Sequence, residues 1–119
     1  MKAEKFNRFT SDWIRAWNNH DLEEIMTHYA DDIDFRSPII QQLGVSEEGQ
    51  VRGKQQLKDY FERGLKKYPD LAFELYHELH GINSVVLVYR SVNNSISAEY
   101  MELNDEGKIQ RVRAHYHWH

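Results

Sequence analysis

The chain contains no cysteine. That excludes disulfides, thiolate metal sites and a cysteine nucleophile, and it fits a reducing compartment, so a cytoplasmic location is expected. Long apolar runs are missing too. Nothing approaches the roughly 18 consecutive apolar residues of a membrane span. The opening MKAEKFNRFTSDWI has no apolar run of signal-peptide length. Neither a membrane nor a leader is therefore expected. There is no excess of positive charge: the net charge is -4, with the signs interspersed. A protein that tracks a nucleic-acid backbone needs a basic patch, and the nearest approach is Lys108, Arg111 and Arg113. Nucleic acid is not an expected partner. Proline occurs only at two positions, and both read as boundaries: Pro38 closes a strand and Pro69 stops a helix.

A length of 119 residues predicts one domain, 1–119, large enough for a single core. Aromatics make up 13% of residues, more than a minimal core needs, and an aromatic-lined cavity is one use for them. The stretch Trp17 to Pro38 organises the reading. Phe6, Phe9, Trp13 and Ala16 or Trp17 form the apolar stripe of a first helix over about Ala3–Trp17. Asn18-Asn19-His20 breaks it. Asp21 with Glu24 three residues on is a capping-box pattern that restarts a helix. Leu22, Ile25, Met26 and Tyr29 share its apolar face, and Asp31-Asp32 ends it. Ile33 and Phe35 then alternate with Asp34 and Arg36, as in a strand. Residues 39–52 show no sustained period and read as a loop, either a lid over a pocket or an ordinary surface connection. Gly53 opens a third helix with an apolar face of Leu57, Tyr60, Phe61, Leu65 and Tyr68.

From Leu71 onward the period is two. Strands are expected at about Leu71–Gly81, Val85–Val92, Ile96–Leu103 and Ile109–His117, with hairpin turns at Asn93-Asn94 and Asn104 to Gly107. Helices first and consecutive strands later predict an α+β fold. A two-residue turn at Asn93-Asn94 pairs Val92 with Ser95 and sets Val88 opposite Glu99. One face would then carry Val86, Val88, Arg90, Ser97, Glu99 and Met101. The other would carry Leu87, Tyr89, Ile96 and Tyr100. Both faces are apolar, which predicts helices on one and a second subunit, a homodimer, on the other. Glu99 stands out as a carboxylate among apolar neighbours, with Arg90 diagonally across. It is either a pocket acid with a shifted pKa or one end of a salt bridge.

Three stretches, NNHDLEEIMTHYADDIDFRSP, VRGKQQLKDYFERGL and MELNDEGKIQRVRAHY, carry a resemblance that covers nearly the whole chain. The sequence resembles the nuclear transport factor 2-like superfamily, and within it the SnoaL-like and ketosteroid isomerase-like proteins. The resemblance implies a cystatin-like cone, with three N-terminal helices packed in the concave face of a curved, mostly antiparallel sheet. It implies a pocket between helices and sheet, and dimers through the outer face. It favours the hairpin in which Leu103 opposes Lys108 and Glu99 opposes Val112, with Val112, Ala114 and Tyr116 inside and Arg111, Arg113 and His115 outside. Carried onto this sequence, the pocket comprises Trp13, Trp17, Tyr29, Ser37, Tyr60, Phe61 and Leu65. From the sheet it takes Val86, Val88, Arg90, Glu99, Val112, Ala114 and Tyr116.

The departures narrow the chemistry. The ketosteroid isomerase base falls on Ser37, the oxyanion-hole tyrosine on Trp13, and the oxyanion-hole acid on Glu99. The last-strand acid of SnoaL-type cyclases falls near Ala114. An epoxide-hydrolase arrangement finds only Arg90 and Glu99 of its two acids and one arginine. Ser37 as a nucleophile would need an inner-face histidine, and none is expected. His115, His117 and His119 alternate on one strand face and could hold a divalent metal, but no inner carboxylate joins them, and neither metal nor cofactor is expected. His20 and His28 read as surface positions. Two readings follow. In one, the protein is a cofactor-free isomerase, cyclase or dehydratase for a compact hydrophobic carbonyl compound. Glu99 is then the acid or hydrogen-bond donor, and Tyr29 and Trp13 position the substrate. In the other, it is a non-catalytic ligand-binding or dimerisation module.

Overall fold

The computed structural model describes residues 2–117, with side chains from Arg8 onward. The side chains of Phe6 and His119, named above, lie outside the described residues. The chain forms α1 (Lys2–Asn18), α2 (Leu22–Met26), β1 (Tyr29–Arg36), α3 (Pro38–Gln42), β2 (Gln50–Arg52) and α4 (Lys54–Lys67). It continues with β3 (Glu74–His80), β4 (Ser84–Arg90), β5 (Ile96–Leu103) and β6 (Ile109–His117). The strands make one sheet in the order β2-β1-β6-β5-β4-β3. Only β1 and β6 run parallel; all other neighbours are antiparallel. The architecture is the expected α+β cone, with helices against the concave face of a curved sheet. Trp13, Trp17, Leu57 and Phe61 from α1 and α4 share one core with Leu87, Met101 and Val112 from the sheet. No helix among the described residues is long and apolar enough to cross a membrane.

The break after α1 does more than separate two helices. The Asn18 amide donates to the Phe73 carbonyl at 3.0 Å and accepts from the Phe73 amide at 2.6 Å. His20, with φ 55, places Nε2 2.8 Å from the Leu71 carbonyl oxygen. His20 is thus half-buried and bonded rather than a surface position. His28 is half-buried as well, edge-on to Phe9. Asp21 caps α2 as expected, its carboxylate accepting from the Glu24 amide at 3.1 Å. The helix is shorter than its apolar spacing predicts. Tyr29 is the first residue of β1, opposite Ile109, and the Ile109 amide donates to the His28 carbonyl at 2.8 Å. Pairing with β6 overrides the helical period here. Asp31 and Asp32 do not stop a helix; they are exposed on β1 where its register shifts.

Residues 39–52 are not a structureless loop. Ser37 caps α3, its hydroxyl accepting from the Ile39 amide at 3.2 Å, and Pro38 takes the first helical position, where it loses no bond. Ile39 and Ile40 are buried, and β2 pairs with the end of β1. The short apolar pair and the cap suffice because the neighbouring strand supplies the rest. Gly53 takes φ 84 at the start of α4, a conformation costly for other residues.

The largest departure is in the β4–β5 hairpin. Asn93 and Asn94 do form the turn, with φ 56 and 59. Ser91 rather than Val92 pairs with Ser95, however, its amide donating to the Ser95 carbonyl at 2.7 Å. Val92 is an extra residue in the turn, buried against the core. Glu99 therefore opposes Leu87, and Ala98 opposes Val88. A one-residue slip exchanges the faces of β4. Val85, Leu87 and Tyr89 point inward, while Val86, Val88 and Arg90 lie on the outer face. The β5–β6 hairpin keeps the expected parity but shifts by two. Glu99 opposes Ala114 rather than Val112, with an irregularity between Glu102 and Leu103. Val112 and Ala114 are buried, and Arg111 and His115 are exposed.

The Asn18 clamp gives a test. Asn18→Ala removes both hydrogen bonds and leaves the Phe73 backbone partly buried and unpaired. A loss of about 1–3 kcal/mol is expected, read as a lower urea midpoint at unchanged slope. An unchanged midpoint would show that the clamp contributes nothing.

Candidate functional site

Glu99 sits in the middle of β5 and is 3% exposed. Its inward neighbours are Leu87 on one side and Ala114 on the other. The Tyr89 hydroxyl, brought inward by the Val92 insertion, donates to Glu99 Oε1 at 2.5 Å. Among the described residues no other group is hydrogen-bonded to this carboxyl. Burial pushes its pKa up to about 7, and the Tyr89 bond, which favours the ionised form, holds it from rising further.

Phenols surround it. Burial pushes Tyr29, Tyr60, Tyr89 and Tyr116 above the usual tyrosine range, and the nearby Glu99 charge adds to the shift in each. All four stay protonated near neutrality and serve as hydroxyl donors, not bases. Trp13 Nε1 donates to Tyr29 Oη at 3.0 Å, so the indole is engaged in holding the phenol. The Ser37 hydroxyl acts on Tyr60 and Tyr116, lowering the pKa of each. It does so while capping α3, which leaves it a supporting role and no base. The walls are fixed by aromatic contacts. Trp13 stacks on Phe73 at 5.7 Å, Trp17 meets Phe61 edge-on at 4.7 Å, and Phe73 leans on Tyr89 at 4.7 Å.

These groups enclose a cavity of about 60 Å³. Of the residues expected to line it, Trp13, Trp17, Tyr60, Phe61, Glu99 and Tyr116 do so. Tyr29, Ser37, Leu65, Val112 and Ala114 do not border it. Tyr29, Ser37, Val112 and Ala114 are buried just behind, and Leu65 packs partly buried against the core. Val86, Val88 and Arg90 are removed from it by the β4 register. Arg90 instead pairs with Glu74 on the outer face, Nη2 to Oε1 3.5 Å. The expected Arg90–Glu99 pair does not form, and with it goes the acid–arginine arrangement of an epoxide hydrolase. Sequence reasoning missed Phe73, Tyr89, Ser91 and Val92, which all border the cavity. Both faces of β4 are apolar, so no local signal singled out Tyr89; only the extra turn residue decides its side.

Size limits the chemistry. An apolar cavity that takes benzene measures about 150 Å³, and one water needs about 10–15 Å³. This cavity therefore admits a head group of a few atoms. A fused-ring compound would require the aromatic walls to part. Among the described residues no three metal-ligating side chains converge. His115 and His117 are exposed on β6, away from the cavity.

The SnoaL-like domain family matches residues 10–119. No curated protein matches the chain. Among solved structures, a SnoaL-like protein of unknown function from Burkholderia thailandensis is 35% identical, with a TM-score of 0.91 over 97% of this chain and 96% of that one. A candidate ketosteroid isomerase from Kribbella flavida superposes with a TM-score of 0.75 at 15% identity, covering 98% and 80% of the two chains. The epoxide hydrolase/cyclase-like enzyme SalBIII, of pyran ring formation in the polyether salinomycin, gives 0.78 at 16% identity, covering 97% and 92%. At such identities the last two share the fold.

The shifted acid sets a pH dependence. Glu99 moves from 4.5, its ordinary value, to about 7 in the folded protein. Between those values the folded state binds more protons than the unfolded one. The stability this provides is complete below pH 4.5 and is lost as pH rises through 7. Relative to Glu99→Gln, the wild type is expected to lose on the order of 3 kcal/mol across that window and to level off above it. Tyr89→Phe should carry the window upward, because the bond that favours the ionised form is gone. Urea titrations at a series of pH values measure both, and a flat difference between wild type and Glu99→Gln would contradict the assignment.

Proposed function

The chain belongs to the SnoaL-like domain family, and from that premise we propose that it binds a compact hydrophobic carbonyl compound beside Glu99 and acts on it as an isomerase, cyclase or dehydratase. The observation that carries this reading is one buried carboxyl titrating near neutrality in an aromatic cavity. A group with a pKa of about 7 is protonated in roughly half of the molecules at pH 7. In that form it donates a hydrogen bond or a proton to a carbonyl oxygen. In its ionised form it accepts a proton from the carbon next to that carbonyl. Among the described residues the cavity is bordered by no histidine and no second carboxyl, so the proton that leaves and the proton that returns both pass through Glu99. Tyr89 fixes one carboxyl oxygen and thereby the direction of the other. The neighbouring phenols are neutral donors for the oxyanion of an enolate, and dry aromatic walls strengthen those bonds. No cofactor enters this scheme.

Solvent exchange at carbon tests it without a natural substrate. In deuterated buffer at pH 7, the protein should accelerate deuterium uptake at the α carbons of 2-butanone, followed by proton NMR. Glu99→Gln keeps the size and a hydrogen-bonding amide but cannot carry a proton, and should lose the acceleration by about 10²–10⁴-fold. Equal rates in the two proteins would remove Glu99 from the chemistry.

A second reading, a binding or dimerisation module of the same fold, is favoured by one observation on the outer face of the sheet. Leu79, Val86, Val88, Ile96, Ala98 and Tyr100 share that face by register, with Leu79 and Ile96 exposed. Leu87 and Tyr89, expected here, are turned inward by the β4 register, yet the face remains apolar. A second copy of the chain is the occupant we propose. Sedimentation at high micromolar concentration should show a dimer that Leu79→Lys converts to monomer. Monomeric wild type would exclude it.

A further inference from the structure

The Glu99 cavity shares Tyr68, Leu71, Ser91 and Val92 with a second space, an open groove of about 410 Å³ on the surface between the end of α4 and the β4–β5 turn. The two spaces differ in size and in chemistry. The cavity, at about 60 Å³, has room for roughly four to six atoms of water size. Anything larger that reaches Glu99 must leave the rest of itself in the adjoining space. There the walls are polar: Lys67, Asp70, Arg90, Asn93 and Asn94. Two cations face one carboxylate. Among the described residues Lys67 forms no ion pair, and Arg90 meets Glu74 only across a solvent-exposed 3.5 Å contact, which is weak. The carbonyl end of α4 contributes roughly half a negative charge, less than Lys66 and Lys67 of its last turn supply. The carboxamides of Asn93 and Asn94 stand on a turn held in place by left-handed backbone at both positions.

From this pairing of a small apolar cavity with a cationic groove, we infer that the ligand is bipartite: a short carbonyl head at Glu99 and an anionic, carboxylate-like tail in the groove. This rests on the proposed role of the cavity and adds the class of molecule it takes. The register of β4 is what makes it coherent. Arg90, which the sequence places beside Glu99, is directed by the same one-residue slip to the groove, where it meets a tail and not a reacting centre. Val92, the inserted residue, lies at the boundary between the two spaces, so it contacts the ligand where head joins tail.

The probes are 2-butanone, which is a head without a tail, and a series of ω-1 oxo acids from 4-oxopentanoate to 8-oxononanoate, together with the amide of whichever acid binds best. Dissociation constants come from NMR titration at low salt. One chain length is expected to bind at least tenfold more tightly than 2-butanone, and its amide should lose that gain. Lys67→Glu should abolish the gain while leaving the 2-butanone constant unchanged, and added salt should erode it. Oxo acids no tighter than 2-butanone, or a gain that survives Lys67→Glu, would overturn the inference. If 2-butanone still exchanges its α protons in a Glu99-dependent way, the catalytic reading stands without the tail. If the acids bind tightly and no exchange occurs, the bipartite ligand stands and the chemistry fails. If no probe binds, both fall.

Discussion

The hydrogen bond from Tyr89 to Glu99 is the contact on which the interior depends. A carboxyl group in an aromatic core is expensive to hold there, because an ionised, unpartnered acid loses its hydration and gains nothing in return. The fold tolerates this one because a single phenol reaches it and because the charge can be removed by protonation near neutrality. A leucine in its place would pack against Leu87 and Ala114 without any such cost. The acid is thus held in the core at a cost that depends on pH, beside a small cavity.

That contact is also where the sequence could be read only in part. The period-two pattern of β5 put Glu99 on the inner face with Ser97 and Met101, and all three are buried there. The same pattern in β4 was ambiguous, since Val85, Leu87 and Tyr89 are as apolar as Val86 and Val88. Choosing between them required the turn, and two asparagines fit both a two-residue loop and one with an extra residue before it. Burial of Val92 decides, and burial is a tertiary property. Tyr29 shows the same limit from another direction. Its spacing from Ile25 and Met26 is helical, yet the parallel pairing with Ile109 draws it into a strand. The segment 39–52 carries a weak signal for a third reason. A five-residue helix has too few positions to show a period, and β2 is too short to show alternation. What was legible was long and periodic: α1, α4, β5, β6 and the cap at Asp21.

Fold and chemistry separate cleanly in this chain. The cone, the sheet order and the aromatic interior belong to an architecture that hosts many activities. The resemblance aligns Ser37 with the ketosteroid isomerase base and Trp13 with the oxyanion-hole tyrosine, whereas in this chain Ser37 caps a helix and Trp13 donates to Tyr29. Neither residue is idle. Each supports hydroxyls near Glu99: Trp13 that of Tyr29, and Ser37 those of Tyr60 and Tyr116. Preorganised donors around one titrating group suit a reaction in which charge appears on an oxygen and is then withdrawn.

The position of that group on the pH scale follows from two opposed effects. Burial raises the Glu99 pKa and the Tyr89 hydroxyl lowers it, and the balance lies at about 7. Were burial alone at work, the acid would stay neutral throughout the physiological range, a donor that could never take a proton back. Were further donors bonded to it, as in a carboxylate ringed by amides, it would stay ionised and could never give one. Tyr29, Tyr60 and Tyr116 lie close enough for the charge to raise their own pKa values, but among the described residues only Tyr89 is bonded to the carboxyl. Of the other three, Tyr60 and Tyr116 border the cavity, and Tyr29 lies behind its wall. An uncharged group that fills the cavity keeps water from the carboxyl and favours its protonated form. The acid and the cavity beside it are thus linked through one electrostatic balance, that between burial and a single hydrogen bond.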